Sequence, residues 1–359
     1  MVSGSRQKEK ERSDSLQRVK RLLQGESIDR IPFFTFTLGF CAKNAGLPTS
    51  TIYSSPEKSI KAQLQTMEQY GYDTTPFYGY ASYGGAEFGG SIKLPESQYE
   101  QAPAHGDFAV ACEEDLEKLS SPDVTKAGFI PLAFEFSLLQ QKYHLPVSLV
   151  IGGPFTVAGN ICPVPTLCRW LVKKPEAANR LLRIATDHLK DIIEHWVRTF
   201  GSKKVDVQIW EPLSANQIIS PRQFEKFVFP FQKELNEHAL ASGLNSLLLH
   251  VCGEQNRNLP YWSQLPLDDR TIISIGVEVD IDAAIAHFGK NCIIAGNIDP
   301  TLIQTSTPEE LYELCRITIE KGKRASRGFI LMPGCEIPIG TPPYNMYTMV
   351  KALDDFGYY

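Results

Sequence analysis

From about residue 145 onward the chain alternates between short, nearly unbroken apolar runs and longer stretches in which apolar positions recur every three or four residues. The short runs, "PVSLVIGGPF", "VDVQIW", "NSLLLHVCG", "TIISIGVEVD", "NCIIAGNIDP" and "GFILMPGC", have the length and continuity of strands buried on both faces. The longer periodic stretches predict helices over 175–200, 221–242, 282–289 and 307–323. Upstream, "SLQRVKRLLQGESIDRIPFF" reads as an amphipathic helix that stops at Gly25 and feeds a strand beginning at Ile31. Residues 1–14 are polar and read as a disordered tail. Residues 70–120 are rich in glycine and aromatics and weak in helical period, which suggests a loop-rich insertion near the site.

Repeated strand–helix alternation argues for a parallel sheet. The chain carries no GxGxxG or GxxxxGK[ST] fingerprint, so a single (β/α)8 TIM barrel over 15–359 is expected in preference to a doubly wound sheet. The 359 residues are enough for one such barrel. A net charge of −5 gives no electrostatic pull toward nucleic acid or anionic lipid. No stretch reaches the roughly 18 uncharged apolar residues of a membrane span. The eight scattered cysteines do not form a secreted disulfide framework, and the protein reads as cytoplasmic with reduced thiols.

In a (β/α)8 barrel the reacting groups sit at the C-terminal strand ends. Here those ends carry Glu211, His250 with Cys252, Glu278 with Asp280, Asn297 with Asp299, and Cys335 with Glu336. Positions i and i+2 of a strand share a face, so His250 and Cys252 aim into one space. With Cys335 they supply one imidazole and two thiolates, donors suited to tetrahedral Zn2+ with a position open for substrate. Core cysteines beside a hydrogen-bonded histidine are the bland alternative for HxC alone. Cys162 and Cys168 match no common zinc spacing and read as buried thiols. His188, His195 and His238 read as solvated helix faces. Phe77, Tyr78, Tyr80 and Tyr83 suggest a stacking platform for a flat ligand, and Asn297 a further substrate contact.

The segments "RLLQGESIDRIPFF", "GGPFTVAGN", "VDVQIWEPLSANQIISPRQFEKFVFPF", "LLLHVCG", "GNIDP" and "FILMPGCEIPIGTPPYNMYTMV" together resemble the uroporphyrinogen decarboxylase superfamily across about 17–357. The resemblance implies a (β/α)8 barrel with its site at the mouth. Two departures separate the chain from the decarboxylases. The segment after the first strand, "FTFTLGF", lacks the carboxylate-clamping arginines, and Cys335 stands where the decarboxylases have a histidine. The HxC with a distant cysteine is similar to the cobamide-dependent methyltransferase branch, which binds zinc through such a motif.

That branch implies methyl transfer between a small molecule and the cobalt of a corrinoid (cobalamin) carried by a partner protein, since this chain has no DxHxxG pattern of its own. The small molecule is either a methyl donor such as a methoxylated aromatic, undergoing O-demethylation, or a thiol acceptor such as coenzyme M. The tyrosine-rich stretch leans toward a donor. Glu211 is the expected catalytic carboxylate, orienting His250 or acting as a fourth ligand. Residues 77–90 are expected to form part of the docking surface for the carrier, and a homo-oligomer is compatible with the sequence. The alternatives are a decarboxylase of altered substrate and a non-catalytic barrel that binds zinc or corrinoid.

Overall fold

Six strands hydrogen-bond in parallel and in chain order: β3 (Val147–Gly152), β4 (Val205–Trp210), β5 (Ser246–Val251), β6 (Thr271–Ile275), β7 (Ile293–Ile298) and β8 (Phe329–Pro333). The structure is a computed structural model. It describes residues 2–80, 82 and 84–359, with side chains from residue 11 onward. Tyr83, grouped by sequence with the other tyrosines, lies outside the described residues.

The sheet closes through two chain segments that pair mostly by single bonds. Residues 31–36 lie beside β8, with Leu331 N donating to Pro32 O and Phe34 N to Leu331 O, both at 2.9 Å. Residues 73–79 lie between that segment and β3. Asp73 N donates to Phe33 O at 2.7 Å, and Tyr78 forms a parallel bridge with Leu149. Six regular strands and these two make the eight positions of the expected (β/α)8 barrel. Helices Pro175–Phe200, Phe229–Ala241, Ile281–Phe288 and Pro308–Gly322 return the chain between strands, close to the spans read from periodicity. Thr307 caps the last of these, its hydroxyl accepting from Glu310 N while the Glu310 carboxylate accepts from Thr307 N.

Three expectations change. The first helix spans Val2–Leu23 and so begins well before Ser15. Its Lys-, Arg- and Glu-rich sequence contains good helix formers whose side chains need no apolar cover, so polarity alone does not stop the helix. The 70–120 segment contributes a barrel position as well as loops. Within it, Ile92–Lys93 (β1) and Ala104–His105 (β2) make a short antiparallel ribbon. His188 is buried on the core stripe of helix Pro175–Phe200, edge-on to Phe88 at 4.9 Å, and burial pushes its pKa down to about 4. Among the described residues no helix is long and apolar enough to cross a membrane.

A buried ionic knot replaces the missing strand ladder at the first two positions. Asp73 is 1% exposed and accepts from Ser15 Oγ and Arg18 Nη1 at 2.6 Å, Phe33 N at 2.8 Å and Arg30 Nη1 at 3.0 Å. One carboxylate therefore joins the N-terminal helix, the first barrel segment and the second. Removing it strands Arg30, whose side chain is only 10% exposed, and leaves equally buried Arg18 with Asp29 alone. Asp73→Ala is expected to lower unfolding stability by about 3–5 kcal/mol, read from the urea midpoint; a loss below about 1 kcal/mol, the range of surface pairs, would show that the knot does not close the barrel.

Candidate metal centre

The parallel register sets the site. Trp210 pairs with His250 across β4 and β5, and His250 pairs with Ser274 across β5 and β6, so these three side chains stand abreast near the C-terminal strand ends. Cys252 follows β5 by one residue and Cys335 follows β8 by two. One ligand atom from each of His250, Cys252 and Cys335 lies within 4.8 Å of the others. His250 is buried, Cys252 half-buried and Cys335 exposed, so the cluster opens toward solvent at the barrel mouth.

The imidazole is held in one orientation. Ser274 Oγ is hydrogen-bonded to His250 Nδ1 at 3.0 Å and lies 3.5 Å from Met332 Sδ. With Nδ1 on the serine, Nε2 is the nitrogen left for the thiols or a metal. The two thiols divide one proton. Cys335 is drawn well below the usual thiol range by the hydrogen bond from Cys252 and by His250, while Cys252 is pushed up by that same bond, burial and nearby Glu278. One imidazole and two thiols gathered within 4.8 Å fit a zinc ion. Zn–S of about 2.3 Å and Zn–N of about 2.0 Å require only small side-chain adjustments from the observed spread.

Glu211 sits elsewhere than expected. Its carboxylate caps helix Pro154–Ile161, accepting from Phe155 N at 3.0 Å, Thr156 N at 3.2 Å and the Thr156 hydroxyl. Its contact with His250 is through the backbone, Glu211 N donating to His250 O at 2.9 Å. The side chain bonded to the His250 ring is instead that of Ser274, a neutral serine that no charge pattern marks in the sequence. The "GGPF" signature is explained by the same carboxylate: a Cβ on Gly153 would lie 2.7 Å from the Glu211 carboxyl carbon.

The tyrosines also move. Along 73–79 the side chains alternate, so Phe77 points to the barrel interior and Tyr78 points outward, its hydroxyl donating to Tyr53 O at 2.7 Å and its ring against Phe136. Tyr80 is buried against Tyr53 and Phe129. Neither tyrosine forms an open stacking platform, and with Gly84, Gly85 and Glu87 buried as well, the described residues of 77–90 do not present the continuous docking face expected from composition. Asn297 Nδ2 donates to Gly276 O at 3.0 Å and Val279 O at 2.7 Å, bracing the loop after β6. Cys162 is buried and Cys168 half-buried, away from the cluster.

A parallel eight-position barrel with chemistry gathered at its C-terminal mouth is an enzyme architecture. The chain belongs to the uroporphyrinogen decarboxylase family, which it matches over residues 14–356. It is 25% identical over 355 residues to the methylcobamide:CoM methyltransferase MtbA of Methanosarcina acetivorans, covering 95% of this chain and 98% of that one. It is 26% identical over 249 residues to the methylated-thiol–coenzyme M methyltransferase of Methanosarcina mazei, 67% of this chain and 62% of the other. Similarity to the uroporphyrinogen decarboxylase of Homo sapiens, 23% identity, extends over 57% of each chain. A solved methyltransferase from Methanosarcina mazei shares the fold, with a TM-score of 0.80 at 21% identity over 95% of this chain and 98% of that one.

Two outcomes test this geometry. Ser274→Ala removes the Nδ1 partner and is expected to weaken zinc affinity about 10- to 100-fold, measured by competition with a chromogenic chelator; an unchanged affinity would show that the serine does not orient the ligand. Burial raises the Glu211 pKa from 4.5 to about 7. A carboxyl raised in the folded state favours folding fully below about pH 4.5, and that contribution is lost as pH rises through about 7. Metal-free Glu211→Gln should therefore lose less stability than wild type between those pH values, the difference being on the order of 3 kcal/mol. Parallel stability–pH curves for the two would refute the assignment.

Proposed function

We propose that this chain is a zinc-dependent methyltransferase that moves a methyl group between a small molecule and the cobalt of a corrinoid held by a separate protein. The observation that carries this reading is the cluster of His250, Cys252 and Cys335 within 4.8 Å at the barrel mouth. The names of the full-length relatives, methylcobamide:CoM methyltransferases, support it.

The residues divide the work simply. Cys252 and Cys335 supply soft anionic donors, and His250, fixed by Ser274, supplies the third. Zinc bound there contributes Lewis acidity, lowering the pKa of a thiol acceptor or polarising the heteroatom that leaves a methyl donor. Two thiolates offset the ion's charge, so a coordinated sulfur keeps its nucleophilicity. Glu211 and Glu336 hold the surrounding loops through backbone N–H groups and shape the chamber rather than touching the donors. We favour the donor direction, and we place the protein in the cytoplasm, where its eight free thiols would stay reduced. A decarboxylase acting on a polycarboxylate fits less well, since residues 34–40 after the first barrel segment contain no cation to pair with carboxylates.

The test pairs metal content with transfer. Wild-type protein is expected to hold about one zinc per chain and to methylate cobalamin from a suitable donor, whereas Cys335→Ala should lose zinc and transfer together. Full zinc retention by Cys335→Ala, or equal transfer in cobalt-free mixtures, would overturn the proposal.

A further inference from the structure

We propose that the cavity at the opposite end of the barrel from the metal centre binds a small organic phosphate, a phosphate monoester on an apolar body, between the N-terminal helix and the starts of the strands. This second site is independent of the methyl-transfer reading.

The cavity follows from the register. Ser148 pairs with Asp206 and Asp206 with Ser246, while Arg270 directly precedes the residue of β6 that pairs with Leu247. By strand alternation these four share the inward face with Trp210 and His250, at the other end of the same strands. Barrel interiors are ordinarily filled layer by layer with bulky branched side chains. This layer has none. Asp206 Oδ1 accepts from Ser246 Oγ at 2.5 Å and Asn245 Nδ2 at 2.7 Å, and Gln208 Nε2 donates to Ser148 Oγ at 2.9 Å. Arg270 turns back, donating to Asp268 at 2.8 Å and to Leu244 O at 3.1 Å. These bonds run along the wall, so they satisfy the polar groups without closing the space between them.

What remains is a cavity of about 530 Å³, within the range of small-molecule sites. Leu16, Val19 and Leu23 of the first helix and Phe34, Leu248 and Ile272 of the barrel line it, giving an apolar body cover on two sides. The unpaired charge around it is positive. Lys20 comes from the helix, and Lys203 and Lys204 from the turn before β4; all three line the cavity, are exposed, and form no ion pair among the described residues. Exposed His144 lies in the same lining. Of the two carboxylates there, Asp73 is matched by Arg18 and Arg30, and burial pushes the pKa of Asp206 up. Arg270 is matched by Asp268.

Three free ammonium groups from two elements suit a phosphate monoester, which carries about two negative charges at pH 7, better than they suit a single carboxylate. The lysines are exposed, so the anion is neutralised without leaving water completely. Chemistry in this architecture sits at the other end of the strands, so a ligand here acts as an effector. By touching Lys20 as well as Lys203 and Lys204 it ties the first helix to the barrel, and its binding stabilises the folded chain by linkage.

The probe is phenyl phosphate, titrated calorimetrically into the full chain both metal-free and zinc-loaded. One site is expected, with a dissociation constant of about 1 mM or tighter that zinc does not change, and with a rise in melting temperature at saturation. Phenol and inorganic phosphate should each bind at least about tenfold more weakly. Lys203→Glu combined with Lys204→Glu, and Lys20→Glu separately, should each weaken phenyl phosphate at least about tenfold. These lysines are exposed, so unchanged circular dichroism is expected in both. Val19→Trp, which fills the cavity from the half-buried helix face and keeps every lysine, should weaken it as much. Absent binding, binding that requires zinc, or unchanged affinity in the lysine variants or in Val19→Trp overturns the proposal. Inorganic phosphate binding as tightly as phenyl phosphate would reveal a surface anion contact only, and overturns it too.

Discussion

The parallel register of β4, β5 and β6 is the constraint on which the site depends. Because Trp210, His250 and Ser274 are hydrogen-bonded neighbours in adjacent strands, their inward side chains are lined up by backbone pairing before any side-chain contact is made. A slip of one residue would turn all of the shifted strand's side chains to the other face. If that strand were β5, His250 and Cys252 would turn together away from Ser274 and from Cys335. Register is protected by the apolar alternation itself, since Leu247, Leu249 and Val251 must face the helices for His250 to face the interior.

The strand ends with continuous apolar character were legible in the sequence because burial on both faces leaves little room for polar residues, and helix Pro175–Phe200 because 26 residues of regular period are hard to mistake. The gathering of the candidate donors was legible for the same reason: His250 and Cys252 interrupt an apolar run at its end, at the mouth of the barrel. The first two barrel positions were not. Their pairing runs through side chains, with Asp73 accepting from Phe33 N, Thr74 Oγ1 accepting from Thr35 N and Gln63 bonding the backbone of Phe77 in both directions. No period-two pattern announces such a ladder. The tyrosines were misplaced because an aromatic cluster does not reveal which residue of an alternating pair faces inward; Phe77 does and Tyr78 does not. Glu211 was misassigned because proximity in the fold was read as contact, while its carboxylate found backbone N–H groups closer than the imidazole.

Cys335 is exposed and follows a strand by two residues, a placement that would leave most side chains free to sample rotamers. Its loop is nonetheless tied on both sides. Glu336 accepts from Gly39 N at 3.1 Å, Ile337 N donates to Phe36 O at 2.7 Å, and Gln101 clasps the backbone through Ile337 O at 2.8 Å and Ile339 N at 2.7 Å. On the opposite side Glu254 N donates to Gln217 Oε1 at 2.8 Å, just past Cys252. Both thiols therefore project from backbone already ordered by folding, and the entropy of fixing those loops is not charged again when a ligand or ion binds. An accessible donor on a rigid loop is what a reacting centre needs: open enough to admit substrate, and held closely enough that the sulfur does not wander from the imidazole.

The same loops join the candidate metal centre to the first barrel segment. Phe36 supplies the ring that leans on His250, and its carbonyl accepts the bond from Ile337 that holds the Cys335 loop. The peptide that follows leads into helix Leu38–Asn44, whose Gly39 N–H binds Glu336. A shift of Phe36 must therefore carry the backbone that positions the exposed thiol, and a shift of that thiol must pull on Phe36. The ring that leans on His250 and the backbone groups that tie the Cys335 loop lie on one covalent segment, about 10 Å of extended chain. In a barrel this closely packed, neither can be retuned without the other.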